Sequence, residues 1–175
     1  MPIVIETERL LLRPLRDDEG DAAAMLELLN EPDFHRHIGD RGIRSVEQAR
    51  QCVREGPMVS YARHGYGMYA VQRRSDGEWL GNAGLVHRAV LPQPDLGYAL
   101  LQRHTGQGYA LEATRAVLVH ARDTLGLREL CAIVAPGNSR STALLHKLGF
   151  HGHGSVRLPG KPETLLLFRK KLAIA

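Results

Sequence analysis

The 175-residue chain is predicted to fold as a mixed α/β domain, a single unit over residues 1–175. Three observations carry this reading. Short apolar runs of strand-like composition alternate with segments whose apolar residues repeat every three or four positions. Three consecutive strand candidates near the middle are joined by short turns, the pattern of an antiparallel meander. A strand then runs into a glycine-rich turn and a long helix, after which strand and helix continue to alternate. A chain of this length buries one sizeable core and leaves little room for a second.

In chain order, Glu8 to Leu15 (ERLLLRPL) reads as an opening strand. Asp17-Asp18 offers capping oxygens to a helix over Glu19–Leu29, whose Ala22, Met25, Leu26 and Leu29 fall at helical spacing and which Pro32 stops. Ser45 is an N-cap for a second helix, Val46–Glu55, ending at Gly56-Pro57. Tyr66–Gln72, Trp79–His87 and Asp95–Gln102 form the meander, the first pair closed by a turn containing Asp76-Gly77. The third strand meets His104-Thr105-Gly106-Gln107-Gly108. A long helix follows from Tyr109 to about Thr124, with Ala110, Ala113, Val117, Ala121 and Leu125 along one face. Glu129–Ala135 is a short apolar strand. Asn138 or Ser139 caps a last helix to Leu148, with Gly149 at its C-terminal stop. Phe150–Val156 and Glu163–Arg169 complete the set.

Composition narrows the function classes. No stretch approaches the roughly 20 apolar residues of a membrane-spanning helix. The start, MPIVIETERLLLRPL, carries acids where a secretory signal carries a basic region, so a cytoplasmic location is expected. Cys52 and Cys131 are too few for a disulfide framework, and no CxxC pair suggests a metal site. The net charge of +4 is spread along the chain, and aromatic residues are scarce at 5%. That is unlike a nucleic-acid binder, where a basic stripe is interleaved with stacking aromatics. A modest positive balance does suit an anionic small molecule. Neither nucleic acid nor membrane is an expected partner, and a homodimer is compatible with the chain.

The glycine-rich turn before the long helix carries the chemistry. A helix N-terminus presents free N–H groups and a partial positive charge, and glycines let an anion approach the backbone. A phosphate loop of the Walker type fails, because Tyr109 and Ala110 follow Gly108 where Lys and Ser/Thr belong. A dinucleotide fingerprint fails at Leu111, where its third glycine should stand.

The segment LGYALLQRHTGQGYALEA instead resembles the acetyl-CoA site of the GNAT acyltransferases. It looks most like the RimJ/RimL-like branch, which acetylates ribosomal-protein N-termini. Two registers of that family's Q/R-x-x-G-x-G/A loop are available. Arg103-x-x-Gly106-x-Gly108 satisfies the letters, and Thr105-x-x-Gly108-x-Ala110, the preferred one, fits the chain order. The resemblance extends to Thr7–Pro14, Leu80–Leu85, Asp95-Leu96-Gly97-Tyr98, Pro136–Ser141 and Lys147-Leu148-Gly149-Phe150. It implies a twisted, mostly antiparallel mixed sheet of about six or seven strands flanked by about four helices. It implies acetyl-CoA as co-substrate, no metal, and a site where the strands Asp95–Gln102 and Glu129–Ala135 splay apart. The amides of Gly106, Gln107, Gly108, Tyr109 and Ala110 would cradle the pyrophosphate. Leu100 and Gln102 would bond the pantetheine arm through their main chains.

Acetyl transfer to a primary amine requires a route for the amine proton, donors for the carbonyl oxygen and help for the departing thiolate. Amides about Leu100 or Leu101 suit the second need. Many GNAT enzymes meet the third with a tyrosine five residues before the Phe of the Gly-Phe pair, where this chain has Leu145. The branch carries Asn-x-x-Ser instead, matched by Asn138 and Ser141. Ser141 is therefore expected to serve the thiolate and Asn138 to hold the pantetheine, against plain capping roles for both. Asp95 is the expected base, directly or through water, with His87 as an alternative and a turn acid as its ordinary role. Glu112 reads as a stabiliser of the helix N-terminus. The acceptor reading is a protein or peptide N-terminal α-amine, attacked directly in a ternary complex. The alternatives are a small-molecule amine (polyamine, amino acid or antibiotic) and a CoA-binding sensor without turnover.

Overall fold

The computed structural model describes residues 2–173; Met1, Ile174 and Ala175 of the expected unit lie outside them. The opening strand is broken in two. At Thr7 the main chain turns: its N–H donates to the Leu10 carbonyl at 2.9 Å, and its hydroxyl accepts from the Leu10 N–H at 2.9 Å. This folds β1 (Ile5–Glu6) antiparallel onto β2 (Leu10–Pro14). The sheet thereby reaches eight strands rather than six or seven.

The meander forms as expected: β3 (Met68–Arg73), β4 (Trp79–Val86) and β5 (Asp95–Leu100) pair antiparallel in sequence. Then come β6 (Glu129–Val134), β7 (His151–Arg157) and β8 (Thr164–Lys171), in the spatial order β1-β2-β3-β4-β5-β6-β8-β7. Among the described residues, β5 and β6 are the only parallel neighbours. Six α-helices flank the sheet among the described residues: α1 (Glu19–Leu29), α2 (Pro32–His37), α3 (Val46–Glu55), α4 (Pro57–His64), α5 (Tyr109–Asp123) and α6 (Ser139–Lys147). The two unexpected ones, α2 and α4, begin on the prolines that end their predecessors. Proline closes one helix yet suits the first turn of the next, where its missing N–H costs nothing.

Strand alternation gives the sheet two distinct faces. Leu10, Leu12, Val71, Leu85 and Leu96 face one side with Ala113 and Val117 of α5 and Leu145 of α6. Ala70, Leu101 and Leu15 face the other with Met25, Leu28 and Leu29 of α1 and Val53 of α3. On that second side Arg13 of β2 and Asp21 of α1 form a buried two-pronged ion pair at 2.8 Å. It fixes α1 against the sheet.

Candidate active site

Strands β5 and β6 share a single pairing, Asp95 with Cys131, beside the bond from the Cys131 N–H to the Pro94 carbonyl at 3.0 Å. Beyond it they separate. A continuous groove of ≈ 1630 Å³ runs through this gap, lined by α5/α6-side residues such as Leu111, Ala132 and Ser141 and by α1-side residues such as Met25, Asn82 and Asp95. The groove therefore connects the two faces of the sheet.

The main-chain edge facing the gap follows from strand parity. The Leu101 N–H donates to the Leu80 carbonyl at 2.9 Å. In an antiparallel pair such bonding residues alternate with residues whose amides point away. Leu100 and Tyr98 thus turn their N–H and C=O groups toward the gap, as the Pro94 carbonyl does at its closed end. Leu100 sits where an added strand could bond to it. Leu101, the other amide considered for the carbonyl oxygen, is occupied by Leu80.

Gln102 stands apart from the strand. It lies in a 3-10 turn over Gln102–His104, past the end of β5. Its N–H donates to Glu31 at 3.1 Å, and its carbonyl accepts from Thr105, whose hydroxyl is at 2.7 Å. Both main-chain groups thus have partners within the protein, while the residue still lines the groove.

At the open end of the groove α5 begins on Gly108, in the left-handed conformation at φ 82°, with Gly106 at φ 77°. These backbone angles favour glycine. Helices α1, α3 and α6 are closed by the side chains of Asp18, Ser45 and Asn138, whereas α5 has no side-chain cap. The N–H groups of Tyr109, Ala110 and Leu111 therefore lack intrahelical partners beside exposed Gly106, Gln107 and Gly108, as an anion site requires. The Tyr109 ring is buried under the Arg9 guanidinium, 4.4 Å from its centroid, so only its main chain belongs to the turn. Arg9 braces the loop through the Gln107 carbonyl at 2.9 Å and Glu112 at 2.7 Å. Glu112 also accepts from Thr7 at 2.5 Å, which makes it a tie between α5 and the first strands. Arg103 is drawn off to Glu27 on α1. Thr105, Gly108 and Ala110 all lie at the turn.

Asp95 is 3% exposed at the closed end of the gap, with the Arg88 guanidinium 3.3 Å away. Burial pushes its carboxyl up to about 6, against the lowering pull of Arg88. It is mostly ionised at neutral pH yet basic enough to accept a proton. His87 is exposed and stacks on His64 with ring centroids 4.1 Å apart. On the other wall the Asn138 side-chain oxygen caps α6 by accepting from the Ser141 N–H at 3.2 Å. The Ser141 hydroxyl lies 2.7 Å from that of Tyr98. Sequence reasoning placed Tyr98 in a motif without giving it a role; it is β5 that carries it across to α6. Arg88 and Arg9 were likewise missed: Arg88 meets Asp95 only through the fold of the β4–β5 connection, and Arg9 lies about a hundred residues from the loop it braces.

Sequence comparison agrees with this geometry. Residues 9–151 match the Acetyltransferase (GNAT) domain family. A Bacillus subtilis (strain 168) protein described as "Probable N-acetyltransferase YjcK" is 34% identical over 160 residues, covering 88% of this chain and 87% of the relative. The crystal structure of an acetyltransferase from Agrobacterium tumefaciens superposes with TM-score 0.79 at 28% identity, over 97% of this chain and 94% of that one. RimL, a ribosomal alpha-N-protein acetyltransferase solved in complex with coenzyme A, superposes with TM-score 0.80 at 21% identity, over 98% of both chains. With the splayed parallel strands and the uncapped glycine-led helix, this match over most of its length makes the chain a member of the GNAT family, an acetyl-CoA-dependent N-acetyltransferase.

Proposed function

We propose that this enzyme acetylates the N-terminal α-amine of a protein or peptide, as the RimJ/RimL-like branch does, by direct attack in a ternary complex. The observation that carries the reading is the groove through the sheet: the uncapped α5 and Ser141 lie on one face, and the Asp95 side chain lies on the other. Acetyl-CoA would enter from the α5 face and supply the thioester. Gly106, Gly108 and Ala110 hold its pyrophosphate with main-chain N–H groups, and Leu100 lines its pantetheine arm. The amine comes from the α1 face.

The residues divide the work. Asp95, through a water, takes the amine proton. Leu100 presents its amide toward the carbonyl oxygen. Ser141 donates to the departing sulfur. Asn138 spends its oxygen on α6 and keeps its amide nitrogen for the groove.

Three acids that line the groove are matched by arginines, Asp33 with Arg36 at 3.4 Å, Asp40 with Arg44 at 2.5 Å and Asp95 with Arg88 at 3.3 Å, whereas Glu31 and Glu55 accept only from Gln102 and Gln51. An α-amine ordinarily titrates near 7.7–8.0 and lysine near 10.4, so lysine needs about 3–4 kcal/mol more to be deprotonated. A carboxylate near 6 working through water suits the first. Peptides with a free N-terminus are expected to react faster than blocked peptides with a free lysine. Equal rates in an acetyl-CoA turnover assay would overturn the acceptor assignment.

A further inference from the structure

We propose that Tyr98 is a positioning residue that holds the Ser141 hydroxyl as a donor toward the sulfur leaving the acetyl group. The inference rests on the placement of acetyl-CoA proposed above and goes beyond it in assigning Tyr98.

The geometry is specific. Tyr98 lies three residues past Asp95, the last point at which β5 and β6 pair, so it stands in the open part of the gap. Strand parity turns its side chain to the α5/α6 face. There its hydroxyl reaches Ser141, on the first turn of α6, at 2.7 Å. The bond spans the two walls of the groove. Leu145, at the position where a tyrosine would otherwise stand on α6, is 2% exposed and belongs to the core. The phenol next to Ser141 therefore comes from the opposite strand.

Either hydroxyl can donate in this pair, and in the proposed arrangement the donor is the phenol, the more acidic of the two. Burial raises the Tyr98 phenol above its ordinary value, outweighing the lowering by Ser141, so it remains protonated at neutral pH. A serine hydroxyl has one hydrogen and two lone pairs. With Tyr98 donating to Ser141 Oγ, the serine hydrogen is left for a further acceptor. The neighbouring Thr142 uses its hydroxyl differently, bonding back to the Asn138 carbonyl at 3.1 Å. Chained donors also polarise one another.

The balance requires no proton from either hydroxyl. As the C–N bond forms and the C–S bond breaks, the electron pair of the C–S bond goes to sulfur. The amine proton leaves on the Asp95 side to solvent. A thiol ordinarily titrates near 8.5, so a hydrogen bond at the moment of cleavage suffices, and the α6 N-terminus favours the same negative charge.

The test uses CoA alone, following the thiolate absorbance of the bound cofactor against pH. The pair should hold the bound thiol below its value in free CoA. Tyr98→Phe, which keeps the ring, and Ser141→Ala should each raise it, by about 0.5–1 unit. The double variant should move it no further than Ser141→Ala. Incorporating fluorotyrosine at Tyr98, a stronger donor of the same shape, should lower it. With a free-N-terminus peptide, kcat should fall about 5–10-fold for Tyr98→Phe and about 10–100-fold for Ser141→Ala, with CoA affinity little changed. A wild-type thiol value in both Tyr98 variants, or shifts that add in the double variant, would overturn the proposal. Failure of the wild-type protein to bind CoA would instead refute the function proposed above. Binding with an unmoved thiol value in Ser141→Ala would refute the pair alone.

Discussion

At the scale of single residues, the chemistry is set by what surrounds each group. Asp95 sits at the start of β5, where its neighbours exclude water, and burial outweighs the nearby Arg88 cation. Because its carboxyl is raised to about 6, it is a competent base only when ionised, so kcat should rise with pH through about 6. Arg88 opposes that rise. Arg88→Gln should move the limb to higher pH by about one unit, the sign expected when an opposite charge is withdrawn from a carboxylate. Asp95→Asn should abolish the limb and lower kcat by about 10²-fold. A pH–rate series on the three proteins decides it. A limb that stays in place in Arg88→Gln would mean another group titrates. The sequence named Asp95 for its position in a motif; it could not name Arg88, whose contact depends on how the β4–β5 connection folds back.

The elements supply what the residues cannot. The anion site proposed at helix α5 rests on its open first turn: Gly108 cannot cap it, and Arg9 and Glu112 pin the loop from behind. Gly108 is a poor place to probe this, since a side chain there meets both the φ of +82° and the Arg9 guanidinium at 3.3 Å. Ala110 is better. Ala110→Asp places a negative charge in the first turn, where the helix dipole favours it and a pyrophosphate does not. Melting temperature should hold or rise while CoA affinity falls about 10–100-fold, a like-charge effect at close range. Unchanged affinity by calorimetry would remove the pyrophosphate from this turn. The glycines were legible in the chain as a pattern, and so were the capping residues of α1, α3 and α6. The two helices that start on Pro32 and Pro57 were not, because a proline marks an end and a beginning with the same letter.

For the molecule as a whole, the decisive feature is that one sheet separates two approaches. The groove opens to α5 and α6 on one face and to α1 on the other. Two substrates can then be bound together. CoA should inhibit competitively against acetyl-CoA and not competitively against the acceptor peptide. Parallel lines in an initial-rate analysis, the mark of a covalent acetyl-enzyme, would contradict direct attack. Cys131 offers no route to such an intermediate, since it is buried, its thiol is pushed up by that burial, and it donates to Gln93 at 3.1 Å.

The sequence by itself determined the elements and their order. Apolar periodicity, capping side chains and turn glycines are local, so the meander, α5, β6 and α6 could be read directly, and a chain of motifs in fixed order pointed to acetyl transfer. Tertiary structure decided which groups meet. The turn at Thr7 added an eighth strand. Strand parity gave Leu100 a free amide and took that of Leu101, while Glu31 and Thr105 bond the main chain of Gln102. Tyr98 and Ser141, 43 residues apart, touch only because β5 and β6 diverge just enough for a phenol to bridge the gap. Such contacts depend on the twist and splay of a sheet, which arise from the packing of all its strands and helices at once and are written in no single segment.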